Sequence, residues 1–177
     1  MQLSCKAAHT IGDERCVHPD HVESNYALAM KTLLAKGLPS GCSILRMEAE
    51  NPDQEMAAQK YGQLLPENID VLLLGMGEDG HVASLFPGSS NLLQKERSVV
   101  SATGPKPPFQ RLTITPKVIA SARSVFLLVT GERKGKILAE ALKSESDFMS
   151  LPVCLTLGGT WLLDDEAGRQ CLFRDES

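Results

Sequence analysis

The 177-residue sequence lacks the features of several protein classes. No apolar run reaches the roughly 18 residues that suggest a transmembrane helix, and Met1–Thr10 has no apolar stretch of the kind found in secretory signals. These absences predict a cytoplasmic protein. The net charge of −4 disfavours a nucleic-acid surface, since phosphate backbones are bound by concentrated Lys and Arg. Two local cations still suffice to hold one phosphorylated small molecule.

Metal and redox motifs are also lacking. The five cysteines are scattered, and no two of them form a C-x-x-C pair. Neither a zinc site nor a redox dithiol is therefore predicted. We expect free thiols in a reducing compartment, no metal and no cofactor.

Two apolar runs predict the class of fold. Ile69–Leu74 is apolar except for Asp70, and Ser124–Thr130 is a second such run; both end at a glycine. Runs of this kind are typical of strands buried on both faces of a parallel sheet. We therefore expect one α/β domain over residues 1–177, with a mostly parallel sheet and its ligand site beyond the carboxyl ends of the strands.

Shorter patterns predict the other elements. Helical spacing and cap residues indicate four helices: Asn25–Leu34, a helix capped by Asn51 that runs towards Tyr61, one that begins after Thr115 at Pro116, and Lys134–Leu142. Further strands are expected at Cys42–Met47, Ser98–Ala102, Arg111–Thr115, Val153–Leu157 and Trp161–Leu163.

The segment from Gly75 to Pro87 carries the strongest chemical signal. Three glycines in six positions allow a tight turn after the buried strand, and His81 follows them at an expected helix start. An imidazole can take a proton from water near neutral pH. Asp79, two residues away, would orient His81 or hold a substrate hydroxyl. The three glycines match G-x-G-x-x-G, but no Gly-Lys-Ser/Thr follows, so this is not a Walker loop.

Three other segments carry cations. Arg15 lies in Gly12–Asp20, a predicted loop that precedes Ser24-Asn25-Tyr26. Arg111 begins a predicted strand, and Lys134 follows the glycine that ends the second apolar run. A bidentate guanidinium and a compact ammonium both suit a phosphate dianion.

Together these segments resemble 6-phosphogluconolactonases. The resemblance rests on four segments: Gly75–Gly88, Asp13-Glu14-Arg15, Arg111-Leu112-Thr113, and Val129-Thr130-Gly131 with Lys134. In the first segment Val82 stands where the family usually has Thr. The resemblance implies the fold shared by lactonases, sugar-phosphate isomerases and CoA transferases. It also implies metal-free hydrolysis of 6-phospho-D-glucono-1,5-lactone in the oxidative pentose phosphate pathway.

The resemblance assigns roles to particular residues. His81 and Asp79 would be catalytic, with Gly77 and Gly80 shaping the site beside the substrate. Arg15, Arg111 and Lys134 would bind the phosphate or the charge that develops on the carbonyl oxygen. His21, or else His18, matches a family histidine with a structural role.

One departure from the family concerns the first residues. Family members carry more sequence before Asp-Glu-Arg, including a Ser-Gly-Gly phosphate loop, and this sequence contains no Ser-Gly-Gly. We expect a domain that is incomplete at its N-terminus, with exposed apolar surface. A truncated product, rebuilding of the missing strand by the first residues, or pairing with a second copy would each account for this.

Two alternative functions remain open. An aminosugar-6-phosphate isomerase-deaminase would share the Gly-x-Gly-x-x-Gly-His pattern, but it continues with an Ile-Ala-Phe-Asn-Glu type of segment that is absent here. A non-catalytic domain that binds a sugar phosphate or a partner protein would explain the missing loop.

Overall fold

The computed structural model describes residues 7–143 and 147–172. Its strands, in chain order, are β1 Ala8–Thr10, β2 Asp13–Arg15, β3 Ser43–Leu45, β4 Val71–Gly75, β5 Val99–Thr103, β6 Gln110–Ile114, β7 Ser124–Val129 and β8 Thr160–Leu163. Its helices are α1 Asn25–Lys31, α2 Gln54–Leu64, α3 Pro116–Ser121, α4 Glu132–Ala141 and α5 Asp165–Leu172. Short 3-10 helices cover Ser90–Leu93 and Pro152–Thr156.

The chain divides into two compact units. One consists of the chain up to Leu65 together with Val99–Thr113. The other consists of Pro66–Ser98 together with the chain from Ile114 onward. The prediction of a single domain over residues 1–177 stays a prediction.

The second unit is built on a parallel sheet with strand order β4-β7-β8. Leu72, Leu74, Leu127 and Val129 are buried on one face of this sheet. Helices α4 and α5 pack closely, since a methyl group on Gly135 would lie 2.6 Å from the Ala167 Cα. The two apolar runs thus form neighbouring parallel strands, as predicted.

The other face of the β4-β7-β8 sheet, here called the open face, is apolar and exposed. Val71 and Leu73 of β4 are 62% and 63% exposed, and Leu128 and Leu162 are 48% and 45% exposed. The register places Leu128 beside both Gly75 and Leu162, so these side chains belong to one surface. Parallel sheets are ordinarily covered on both faces. Exposed apolar surface is therefore present, while the expected incompleteness at the N-terminus stays a prediction.

The first unit contains a parallel β1-β3 pair and a sheet of order β2-β6-β5 in which β2 and β6 are antiparallel. Tyr61 of α2 is buried, and its hydroxyl accepts from Ile11 N at 2.8 Å and lies within hydrogen-bonding distance of the carbonyls of Ile11 and Leu45. This side chain ties α2 to the ends of β1 and β3.

Several local predictions were wrong. Val153–Leu157 is not a strand but largely a 3-10 helix that begins at Pro152, because proline at a first helical position favours the turn. Helix α2 begins two residues later than expected: Asp53 is its cap and accepts from Met56 N at 2.9 Å, while the Asn51 side chain accepts from Asp53 N. Residues 13–15, placed in a loop by the sequence, form β2 instead.

Apart from the helix start expected at His81, the other predicted helices and strands appear at the expected places, and the α/β fold with parallel sheets flanked by helices is confirmed. Among the described residues, no helix is both long enough and apolar enough to cross a membrane.

Candidate active site

The Gly75–Pro87 segment brings an imidazole and a carboxylate together. His81 Nδ1 lies 2.5 Å from Asp79 Oδ1, and the same oxygen accepts from His81 N at 3.2 Å. Burial raises the pKa of Asp79, but the hydrogen bonds and the charge of His81 outweigh it, so the net pKa is below its usual range. The Asp79 carboxylate thus orients the His81 imidazole through its contact with Nδ1. The other ring nitrogen, Nε2, is then the one that can transfer a proton.

No helix follows His81, contrary to the sequence prediction. The chain turns back on itself instead: Gly77 N donates to His81 O at 2.9 Å, and Val82 bridges both Met76 and Leu85. Ala83 has a φ of +50°, which is incompatible with a regular right-handed helix at that point.

Glycine is required at position 77 by the histidine itself. A methyl group there would lie 2.1 Å from the His81 ring and 2.8 Å from Asp79 Oδ1. Real carbon atoms do not approach this closely, so any side chain at position 77 would displace the imidazole. The His81 ring also packs against Phe86, with 4.7 Å between the ring centroids.

Gly80 packs the same loop against α4 and the 3-10 helix Pro152–Thr156. Its φ is +80°, a conformation that favours glycine, and its carbonyl accepts from Val153 N at 2.8 Å. A methyl group at this position would lie 2.9 Å from a Leu151 side-chain carbon and 3.3 Å from Ile137 Cγ2.

Lys134 lies in the first turn of α4. It is three residues before Ile137 and therefore on the same side of the helix, the side that meets the Gly80 turn. Neighbouring cations of α4 are paired: Arg133 with Glu78 at 3.5 Å, and Lys136 with Glu132 at 2.5 Å. Within the described part of the chain, the Lys134 ammonium has no such partner.

The first unit places two guanidinium groups together. Arg15 of β2 and Arg111 of β6 are directly opposed in the antiparallel ladder, so their side chains lie on the same face of the sheet. Arg111 is only 9% exposed. Burial and then the charge of Arg15 lower the pKa of Arg111. The charges of Asp13 and Glu23 act in the opposite direction, and the Glu23 carboxylate lies 3.9 Å from Arg15 Nη1, but the net pKa of Arg111 is still lowered. Like charges at opposed positions are destabilising, so the pair is a candidate anion site.

Glu14, which was predicted only as part of the Asp13-Glu14-Arg15 motif, is almost fully buried. Its carboxylate accepts from Arg15 N at 2.8 Å, Ser24 Oγ at 3.0 Å, and the backbone N–H groups of Asn25 and Tyr26, both at 2.8 Å. The available signal was the Ser24-Asn25 pair, a helix cap that leaves neighbouring N–H groups in need of an acceptor.

The predicted site residues therefore fall into two groups. His81, Asp79, Gly77, Gly80 and Lys134 lie in the second unit, and Arg15 and Arg111 lie in the first. His21 is exposed, and its Nδ1 accepts from Glu23 N at 3.1 Å, which agrees with a structural role. The described residues contain no group of three or more His, Cys, Asp or Glu that could hold a metal.

The fold and the histidine-bearing turn define a protein of the sugar-phosphate isomerase and lactonase class. Comparison of sequences makes this specific. The chain belongs to the family described as glucosamine-6-phosphate isomerases/6-phosphogluconolactonase, whose sequence model matches residues 5–161.

Relatives in this family come from distant organisms. The chain is 37% identical over 179 residues to the 6-phosphogluconolactonase of Rattus norvegicus, covering 92% of this chain and 68% of the rat protein. It is 38% identical over 186 residues to that of Mycobacterium tuberculosis, covering 94% of this chain and 74% of the relative.

Solved structures agree with the sequence comparison. The 6-phosphogluconolactonase of Trypanosoma brucei matches with a TM-score of 0.76 and 29% identity, over 90% of this chain and 72% of that one. A monomeric glucosamine-6-phosphate deaminase matches with a TM-score of 0.75 but only 20% identity, over 91% of this chain and 73% of that one, and so shows the fold alone.

Proposed function

We propose that this chain hydrolyses 6-phospho-D-glucono-1,5-lactone to 6-phospho-D-gluconate in the oxidative pentose phosphate pathway. The observation that carries the proposal is the 2.5 Å contact between His81 Nδ1 and Asp79 Oδ1, in a turn whose Gly77 leaves room for the ring. The relatives named 6-phosphogluconolactonase support the choice of substrate.

In the proposed reaction His81 Nε2 takes a proton from water while the water oxygen forms a bond to the lactone carbonyl carbon. Asp79 stabilises the imidazolium that results. The bond from this carbon to the ring oxygen then breaks, and the ring oxygen takes the proton from His81. The carboxylic acid product ionises in water. General-base assistance of this kind contributes about 10²–10⁴ in rate.

The cations have the remaining roles. Arg15 and Arg111 suit the phosphate because an opposed guanidinium pair offers several N–H donors and two charges. Lys134, which is unpaired within the described residues, suits the phosphate or the oxyanion that forms during attack. A lactone is an activated ester, so these groups and His81 suffice without a metal.

We also propose a reducing, cytoplasmic location. Within the described residues no disulfide joins Cys16, Cys42, Cys154 or Cys171, which agrees with such a location. The substrate is a small molecule, and pairing with a second copy and the absence of a nucleic-acid partner both stay predictions.

The test is turnover of freshly generated lactone, corrected for spontaneous hydrolysis. We expect wild-type turnover above background and a loss of at least about 10²-fold in His81→Ala. The matched control is His18→Ala, because His18 is an exposed histidine whose ring contacts Asp20.

Other results would replace the proposal. Binding of 6-phosphogluconate by a folded wild-type chain that shows no turnover would favour a non-catalytic sugar-phosphate-binding domain. Absence of both binding and turnover would leave only a partner-binding role.

A further inference from the structure

The carboxylate of Glu14 is buried yet has only neutral partners. The residue is 3% exposed, and its four donors are three backbone N–H groups and the hydroxyl of Ser24. A buried charge is costly unless its hydrogen bonds are satisfied. Here they are satisfied by the N-cap and first residues of α1, so the carboxylate joins strand β2 to this helix.

Glu14 does not neutralise the guanidinium pair beside it in the sequence. Side chains alternate along a strand, so Glu14 lies on the opposite face of β2 from Arg15. In the ladder it stands opposite Leu112, which is fully buried. The Glu14 carboxylate therefore serves the start of α1 and does not offset the charge of Arg15 and Arg111. The Glu23 carboxylate lies 3.9 Å from Arg15 Nη1, and the charges of Asp13 and Glu23 raise the pKa of Arg111 without outweighing its burial and the charge of Arg15.

The segment held by Glu14 also holds Arg15. Arg15 Nη1 donates to the carbonyl of Glu23 at 2.7 Å, and Glu23 directly precedes Ser24. Arg15 is therefore fixed at two points: its backbone N–H binds the Glu14 carboxylate, and its guanidinium binds the segment that this carboxylate anchors. Movement of the segment would move the guanidinium with it.

We propose that Glu14 is the positioning residue of the Arg15–Arg111 anion site. Its buried carboxylate locks β2 to the start of α1, and this lock aims Arg15 at the phosphate of the substrate. The inference rests on the proposed function only for the identity of the anion. It assigns Glu14 no contact with substrate and no part in proton transfer.

The test measures binding of 6-phosphogluconate by calorimetry, with gluconate as the unphosphorylated comparison. Glu14→Gln keeps the shape but loses one acceptor oxygen and the charge, and we expect the dissociation constant to rise about tenfold, or about 1.4 kcal/mol. Gluconate binding should be unchanged. Glu67→Gln, at an exposed position without a side-chain partner in the described structure, is the control and should bind as the wild type does.

A double-mutant cycle separates positioning from general destabilisation. If Glu14 acts through Arg15, then Glu14→Gln should change binding less than about twofold once Arg15→Met is present. An equal loss in both backgrounds, or no loss in a folded Glu14→Gln protein, would overturn the inference. If Glu14→Gln does not fold, Ser24→Ala, which removes one of the four donors, is used in the same cycle with a smaller expected loss.

Turnover is scored separately from binding. A wild-type chain that binds 6-phosphogluconate without hydrolysing the lactone would refute the proposed function, while the cycle would still decide the role of Glu14. A wild-type chain that binds neither 6-phosphogluconate nor inorganic phosphate would overturn the anion site, and the role of Glu14 with it.

Discussion

Arg15 and Arg111 stand directly opposite each other on neighbouring antiparallel strands, with both guanidinium groups on one face of the sheet. Because like charges repel, each guanidinium raises the free energy of the other's charged form in the folded state. The lowered pKa of Arg111 reflects first its burial and then the charge of Arg15. An anion that binds both groups would relieve the repulsion. The pair therefore links the stability of the fold to ligand binding.

We predict that 6-phosphogluconate raises the melting temperature of the wild-type chain. At a ligand concentration of about 100 times the dissociation constant, binding to the folded state adds about 2.7 kcal/mol to the free energy of unfolding. This raises the melting temperature by several degrees. Arg111→Met should abolish most of this rise. Arg123→Met is the control, because Arg123 forms an exposed ion pair with Asp70 at 3.1 Å. Equal protection of wild type and Arg111→Met in differential scanning fluorimetry would rule out the pair as the anion site.

A second prediction concerns the space beside His81. Gly77→Ala would place a methyl group 2.1 Å from the ring, so the ring must move. Because a misplacement of about 1 Å can cost about 10²-fold, we expect kcat to fall by about that factor with little change in the circular dichroism spectrum. Gly75→Ala is the matched control, since a methyl group there meets nothing within 4 Å. Equal activity of the two variants would show that His81 is not needed where the structure places it.

The Asp79–His81 pair should contribute stability that depends on pH. The pKa of Asp79 is lower in the folded state, so its contribution is present above the ordinary carboxyl pKa of about 4 and is lost as the pH falls through the lowered value. We expect the wild-type chain to have a higher melting temperature than Asp79→Asn at about pH 5. The difference between the two melting temperatures should disappear as the pH is lowered towards about 2. A gap that stays constant, or widens with acid, would contradict the assigned ionisation.

Tyr61 should stabilise the first unit through its hydroxyl. Removing the hydroxyl in Tyr61→Phe leaves the N–H of Ile11 without this acceptor, and we expect a loss of about 1–3 kcal/mol in urea unfolding. Burial raises the pKa of Tyr61 to about 12, against an opposing backbone hydrogen bond from Ile11. The contribution of the protonated Tyr61 hydroxyl to the free energy of unfolding is therefore fully present below about pH 10 and is lost as the pH rises through about 12.

Tyr26→Phe is the comparison for Tyr61→Phe, because Tyr26 is the other tyrosine and is only partly buried. We expect its change to stay within about 0.5 kcal/mol. Similar losses in the two variants would mean that the Tyr61 hydroxyl bonds contribute nothing specific.

The open face should bind an apolar dye. We expect 1-anilinonaphthalene-8-sulfonate fluorescence with the native wild-type chain and a clear reduction in Leu73→Lys, which adds a charge to the exposed surface of β4. Leu33→Lys changes a leucine that is 76% exposed and lies in the other unit, and it should leave the fluorescence nearly unchanged. Equal dye binding by both variants would place the dye elsewhere.

The sequence predicted those parts of the fold that local patterns determine. Strands β4 and β7 followed from apolar runs that end at glycine, and α3 followed from Thr115-Pro116. The turn that carries His81 was located but given the wrong continuation, because glycine spacing marks a turn without fixing whether a helix follows. The course of that turn depends on bridges from Val82 to Met76 and Leu85, which are tertiary in origin.

The candidate site was predicted as a set of residues and not as a geometry. The Asp79–His81 contact was anticipated because the two residues are close in the sequence. The opposition of Arg15 and Arg111 was not, because 96 positions separate them and only strand register brings them together. Glu14 was missed because burial of a carboxylate depends on donors that the fold supplies.

The open face also has a consequence for the behaviour of the chain on warming. The attraction between apolar surfaces in water strengthens as temperature rises from the cold, while native hydrogen bonds are still intact. Chains that keep Val71, Leu73, Leu128 and Leu162 in water would therefore associate on mild heating and separate again on cooling. Light scattering should then rise reversibly, and with protein concentration, well below the temperature at which the helices melt.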